Sequence, residues 1–189
     1  MPIKHLTNQQ NLNAVPKPVP PKPVPIELPI VPDHEAAQRQ AVITEALTWL
    51  GTPYRQLGYS KGPKGSVDCS MLLVAAWVGG GVLQPFDPRP YPPTWFMHQS
   101  EERYLAWMES LAVEVPEKDA KPGDIVLFKV GHCFGHSGIL VASDEFVHAY
   151  AKEKYTTKSF LTDTLIGWRT RKFFDVWAKL RLLYPAKVA

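Results

Sequence analysis

Three residues of this chain have the types and settings to break a bond: Cys69, His136 and His148. Cys69 lies in Val-Asp-Cys-Ser (67–70), at the head of an apolar run. His136 lies in Gly-His-Ser-Gly-Ile-Leu (135–140), and His148 follows in Glu-Phe-Val-His-Ala-Tyr (145–150). A cysteine nucleophile reacts as its thiolate. It needs a base beside it and a third group that holds the base in one tautomer. A second imidazole can supply that third group. Asp144 and Glu145 could do so too, but they fall in the turn between the two histidine segments, at the far end.

The elements around these residues set how much each can do. Asp68 is a natural N-cap for a helix over 69–78, which Gly79-Gly80-Gly81 stops. That helix is apolar nearly all round and should be buried. Cys69 then falls in its first turn, where unpaired backbone amides favour a thiolate, lower its pKa and can donate to an oxyanion. A cysteine that only packs is expected mid-helix rather than beside an N-cap after a glycine-rich loop. His136 is flanked by Gly135 and Gly138, which leave an imidazole room to face a cleft. Tyr54, in Gly-Thr-Pro-Tyr (51–54), is either a donor to the substrate or oxyanion, or a packing residue. Ser70 follows the cysteine and could buttress the helix start. His132-Cys133 beside His136 raises a metal reading, but zinc spacings of the Cys-x-x-Cys type are absent, so no metal or cofactor is expected.

The remaining pattern is α+β. A helix is expected from the Asp33 cap through Leu50, and residues 58–66 read as a loop. Five prolines in 85–93 demand a rigid, irregular stretch, and Thr94 caps a third helix through Ser110, with Trp95, Tyr104, Leu105, Trp107 and Met108 packing. After Pro122-Gly123 the period shortens to that of strands at Ile125–Val130, Ser137–Ala142 and Phe146–Tyr150. Tyr155–Leu161 is open to a further strand, and 165–184 to strand, helix or both. Pairing across Ser143–Glu145 sets Gly138–Ile139 near His148. Helices first and strands afterwards predict helices packed on a C-terminal antiparallel sheet.

Composition narrows the partners. The chain has 189 residues and a net charge of +3, too weak for nucleic-acid binding, and no basic run interleaved with aromatics. Two cysteines make no disulfide framework. No segment approaches the roughly 20 apolar residues of a membrane span. The amino-terminal stretch lacks the apolar core of a signal peptide, which predicts synthesis in the cytoplasm without cleaved export. Residues 1–32 hold nine of the nineteen prolines, with Pro-Lys-Pro-Val-Pro in tandem at 16–20 and 21–25. They read as an extended arm, either a spacer or a docking segment, ahead of a domain over 33–189.

Taken in order, Gly51–Tyr54, Asp68–Ser70, Pro122–Asp124, His136–Ile139 and His148–Ala149 resemble the NlpC family of papain-like cysteine peptidases. The resemblance implies a papain-like fold and hydrolysis of peptidoglycan stem peptides, at an amide after D-glutamate such as a γ-D-glutamyl–diamino acid bond. It implies Cys69 as nucleophile, His136 as base, His148 as the orienting residue, and Tyr54 bordering the site. Asp68 and Ser70 come with the motif as oxyanion or substrate-binding neighbours. Met71 stands where the family usually has Gly, and Gln56-Leu57-Gly58 replaces its Trp-Gly-Gly. The segment from Pro90 to Leu105 is similar to the subgroup carried by phage tails and gene-transfer particles. That likeness implies a virion-associated enzyme whose arm, residues 1–32, tethers it to a tail-tip or baseplate protein. The competing expectations are a structural tail protein that keeps the fold without the chemistry, and a thioester-forming acyltransferase.

Overall fold

In the computed structural model, which describes residues 32–91 and 101–185, the chain begins with helix α1 (Pro32–Leu47). Pro32 opens it, where a missing N–H costs nothing. The helix starts one residue before the expected Asp33 cap and ends before Leu50, and the turn that follows closes at Gly51 with φ +78°. The proline-rich arm, up to residue 31, lies outside the described residues.

The expected loop at 58–66 contains a two-residue hairpin, β1 (Tyr59–Ser60) paired with β2 (Ser66–Val67), too short to show a period. Helix α2 (Cys69–Gly79) then starts where the sequence places it. The Asp68 carboxylate accepts the Met71 N–H at 2.9 Å. Met71 through Trp77 are all buried, so the helix forms the middle of the core.

The expected third helix differs. Thr94, Trp95 and His98 lie outside the described residues, and Glu101 and Glu102 are not helical, so α3 spans Arg103–Leu111. The Glu102 side chain accepts the Phe134 N–H at 2.8 Å, tying the chain to the sheet just before the helix begins. Trp107 and Met108 are buried as expected.

The sheet has six strands: β3 (Val113–Val115), β4 (Ile125–Val130), β5 (Cys133–Leu140), β6 (Glu145–Tyr150), β7 (Tyr155–Phe160) and β8 (Arg171–Asp175). Its order is β3-β8-β4-β5-β6-β7, antiparallel throughout. Helix α4 (Val176–Leu183) follows β8, capped by Asp175, which accepts the Ala178 N–H at 3.0 Å. The open stretch 165–184 is therefore both strand and helix. β8 lies between β3 and β4, a position no local signal sets.

Apolar side chains collect on the two sides of this sheet. Ile125, Leu127, Ile139, Val147 and Ala149 pack with α1, α2, α3 and α4 in the main core. Val126, Phe128, Leu140, Phe146, Tyr150 and Phe173 form a second cluster with Leu161 and Ile166. This division is strand alternation made visible, since successive residues point to opposite faces. Arg39 of α1 joins the layers, within 2.6 Å of Asp124 before β4 and 3.1 Å of Asp175 before α4. Among the described residues, no helix is long and apolar enough to cross a membrane.

Candidate active site

The two histidines meet. Ile139 pairs with Val147 and Leu140 with Phe146, a register that carries Gly138 to the level of His148, as the sequence predicts. Nε2 of His136 stands 2.8 Å from Nδ1 of His148. Gly138 lets the Phe146 ring, which packs edge-on to His148, lie against β5. A Cβ there would come within 2.5 Å of the Phe146 ring. The outer nitrogen of His148, Nε2, lies 3.1 Å from the Ser159 hydroxyl on β7. Both rings sit among Phe128, Phe146 and Tyr150, with the His136 and Tyr150 centroids 4.7 Å apart. Sequence reading did not single out Ser159, because nothing local distinguishes it from any strand serine.

Cys69 is 8% exposed at the start of α2. Its closest link to β5 is Ser137, the residue after His136. The Ser137 amide faces the thiol, and the Ser137 hydroxyl lies 3.5 Å from the Cys69 carbonyl oxygen. The thiol thus stands at the peptide between His136 and Ser137. No hydrogen bond joins it to the His136 ring in this structure. The nitrogen left free by the histidine pair is Nδ1 of His136.

Around the thiol stand Tyr54, Tyr91 and Tyr104, each with a phenol pKa raised chiefly by burial and further by the acidic groups Cys69 and Asp68 beside them, Asp68 weighing more at Tyr91. Tyr104, read from sequence as packing, reaches Ser137 Oγ at 2.5 Å. The Tyr54 hydroxyl donates to Gln56 at 3.3 Å rather than to the thiol, so the donor role expected of it is not engaged here. Tyr91, from the proline-rich stretch, donates to both carboxylate oxygens of Asp68 at 2.8 and 2.7 Å. The same carboxylate accepts the Leu57 N–H at 2.7 Å. Asp68 is therefore a hub joining two loops to the start of α2, not only a cap. Ser70 stays beside it, with its side chain close to the thiol.

The electrostatics depart from the sequence expectation. Burial, and then the adjacent Asp68 carboxylate, push the Cys69 thiol up to about 12, against the Ser137 amide and the Ser70 and Tyr104 hydroxyls. Burial outweighs the helix start. His136 is lowered by burial, then by His148 and Arg169. Burial lowers His148 to about 4, partly opposed by Asp163. The resting pair is thus neutral thiol and neutral imidazole. Because only thiolate is alkylated, iodoacetamide should label Cys69 slowly at pH 7, and the rate should climb about tenfold per pH unit through pH 10. Rates followed by mass spectrometry in a Cys133→Ala background check this. A plateau below pH 8 would contradict it.

The order of these motifs on the strands is matched elsewhere. The family model for NlpC/P60 matches residues 51–172, from the Gly-Thr-Pro-Tyr turn into β8. The chain belongs to the NlpC/P60 family. Solved structures of the family share the fold. The peptidoglycan hydrolase RipB of Mycobacterium tuberculosis is 23% identical, with a TM-score of 0.54 over 78% of this chain and 68% of that one. The P60 domain of the M. avium subspecies paratuberculosis antigen MAP1204 is 19% identical, with a TM-score of 0.52 over 76% and 97% of the two chains. RipD of M. tuberculosis, described as a non-catalytic NlpC/p60 domain protein adapted to binding peptidoglycan, is 15% identical, with a TM-score of 0.50 over 74% and 97%. No curated protein sequence matches this chain. The packing of α2 on the antiparallel sheet is the fold these structures share.

Proposed function

We propose that this NlpC/P60 protein is a cysteine peptidase that hydrolyses stem-peptide amides of peptidoglycan, at a γ-D-glutamyl–diamino acid bond. The observation that carries the reading is the histidine pair. The pair lies on the Phe128 and Tyr150 side of the sheet, one residue along β5 from the Ser137 amide that the Cys69 thiol faces, so the His136 ring must turn toward the sulfur for the chemistry. Since thiol and imidazole both rest uncharged, His136 Nδ1 takes the thiol proton as sulfur attacks the amide carbon. The carbonyl electrons move to oxygen, and amides at the start of α2 hold the oxyanion. The tetrahedral adduct then collapses. The C–N bond breaks, imidazolium returns its proton to the leaving amine, and a thioester remains. Water, deprotonated by His136, then releases the acid and regenerates the thiol.

Purified sacculi digested with the wild-type chain and with Cys69→Ala test this directly. Soluble peptide fragments should appear with the first and be absent with the second, and their masses identify the bond. Equal release from both would remove Cys69 from the chemistry. No release from either favours a second reading, a peptidoglycan-binding or tail-structural protein. The absence of a thiol–imidazole hydrogen bond supports that alternative. A virion-borne setting, with residues 1–32 docked on a tail-tip or baseplate protein, rests on the proline-rich composition of the arm and on the Pro90–Leu105 segment.

A further inference from the structure

One proton lies between His136 Nε2 and His148 Nδ1, 2.8 Å apart, and it can belong to either ring. A neutral imidazole carries one N–H and one lone pair. If His136 holds the shared proton on Nε2, its Nδ1 is a lone pair, and His148 carries its own proton on Nε2, toward Ser159. If His148 holds the shared proton on Nδ1, every role reverses. His136 Nδ1 is then protonated and accepts nothing from Cys69.

We propose that Ser159 is a positioning residue whose hydroxyl oxygen accepts the His148 Nε2–H and so holds His136 in the tautomer with Nδ1 free. The 3.1 Å separation suits that bond, and Ser159 is 6% exposed, so water does not readily replace it. The register places it: Phe146 pairs with Ser159 and His148 with Thr157, leaving Ser159 diagonal to the ring. The charged groups acting on the pair are Asp163, toward His148, and Arg169, toward His136. Without the hydroxyl, His148 Nε2–H would be a buried donor with no acceptor. With the hydroxyl present, the other tautomer alone leaves a buried N–H without an acceptor, at His136 Nδ1; without it, each tautomer leaves one, so the preference is lost and both should be populated.

What the free nitrogen is for rests on the hydrolase reading; the tautomer itself does not. The test is long-range 1H–15N NMR of the full chain with labelled histidine at pH 7.5, for wild type, Ser159→Ala and Ser159→Thr. Wild type and Ser159→Thr should show His136 protonated at Nε2 and His148 protonated at Nε2. Ser159→Ala should show both tautomers at each ring and lower kcat about twofold or more, with KM little changed, because part of the population then holds the wrong tautomer. A wild-type His136 protonated at Nδ1, or a Ser159→Ala spectrum with unchanged tautomers, would overturn the proposal. Should Ser159→Ala not fold, the wild-type and Ser159→Thr spectra still decide it. A chain with the expected tautomers that releases no stem peptide would sink the hydrolase reading and leave the role of Ser159 standing.

Discussion

His136→Ala should lower stem-peptide turnover by roughly 10²–10⁴-fold, the usual contribution of a positioned general base. The size follows from the resting charges. Cys69 is held as a thiol, with its pKa pushed up to about 12 by burial and Asp68, so little thiolate exists at neutral pH without a base to make it. The same variant should still be alkylated by iodoacetamide at pH 10 at close to the wild-type rate, because hydroxide then does the work of the base. Turnover and high-pH alkylation measured on one sample separate the two effects. Parallel losses would mean a collapsed site, and unchanged turnover would mean another base. His136 is buried among Phe128, His148 and Tyr150, so a modest fall in thermal stability accompanies the change.

Arg39→Ala should cost about 3–5 kcal/mol of folding stability, the range for removing one partner of a buried ion pair. Arg39 Nη1 lies 2.6 Å from Asp124, which is 1% exposed, and 3.1 Å from the Pro122 carbonyl oxygen. Its guanidinium also sits 4.1 Å from the centroid of the Trp177 ring and within 3.1 Å of Asp175. Removing it leaves buried Asp124 without its cation and Asp175 with only the longer contact to Arg181, at 3.3 Å. Those carboxylates start β4 and α4, so the damage falls on the junction of helix layer and sheet, away from Cys69. Urea unfolding at pH 7 should show a lower midpoint at an unchanged slope. The double variant Arg39→Ala/Asp124→Asn should be less destabilised than the sum of its singles, because the orphaned charge is gone. Additive losses would show that the pair is not coupled.

The sequence carried the local parts of this molecule because their causes are local. Asp68 before an apolar run, with three glycines after it, defines α2 at both ends. The alternation in Ile125–Val130 and Phe146–Tyr150 defines β4 and nearly all of β6. The turn at Ser143–Glu145 is short enough that the register of the two histidine strands follows from counting. What sequence reading missed shares a different cause. β1 and β2 have two residues each. The break before α3 arises where Glu102 takes a strand amide from across the fold. Tyr91, Tyr104 and Ser159 lie 22, 35 and 90 residues beyond Cys69 and carry no local mark, so only their partners reveal them.

By itself the sequence determined the family motif, the candidate site residues, and the α+β pattern, because each is written in neighbouring residue types and short periods. Tertiary structure decided the placement of β8 between β3 and β4, the hub made by Asp68, and the charge state at rest. Those depend on what is buried against what. A helix start stabilises a thiolate by a fixed, modest amount, whereas desolvation at Cys69, and the carboxylate beside it, exist only once the core has closed over α2. The same closure leaves His136 and His148 uncharged, so the site rests neutral until a substrate arrives.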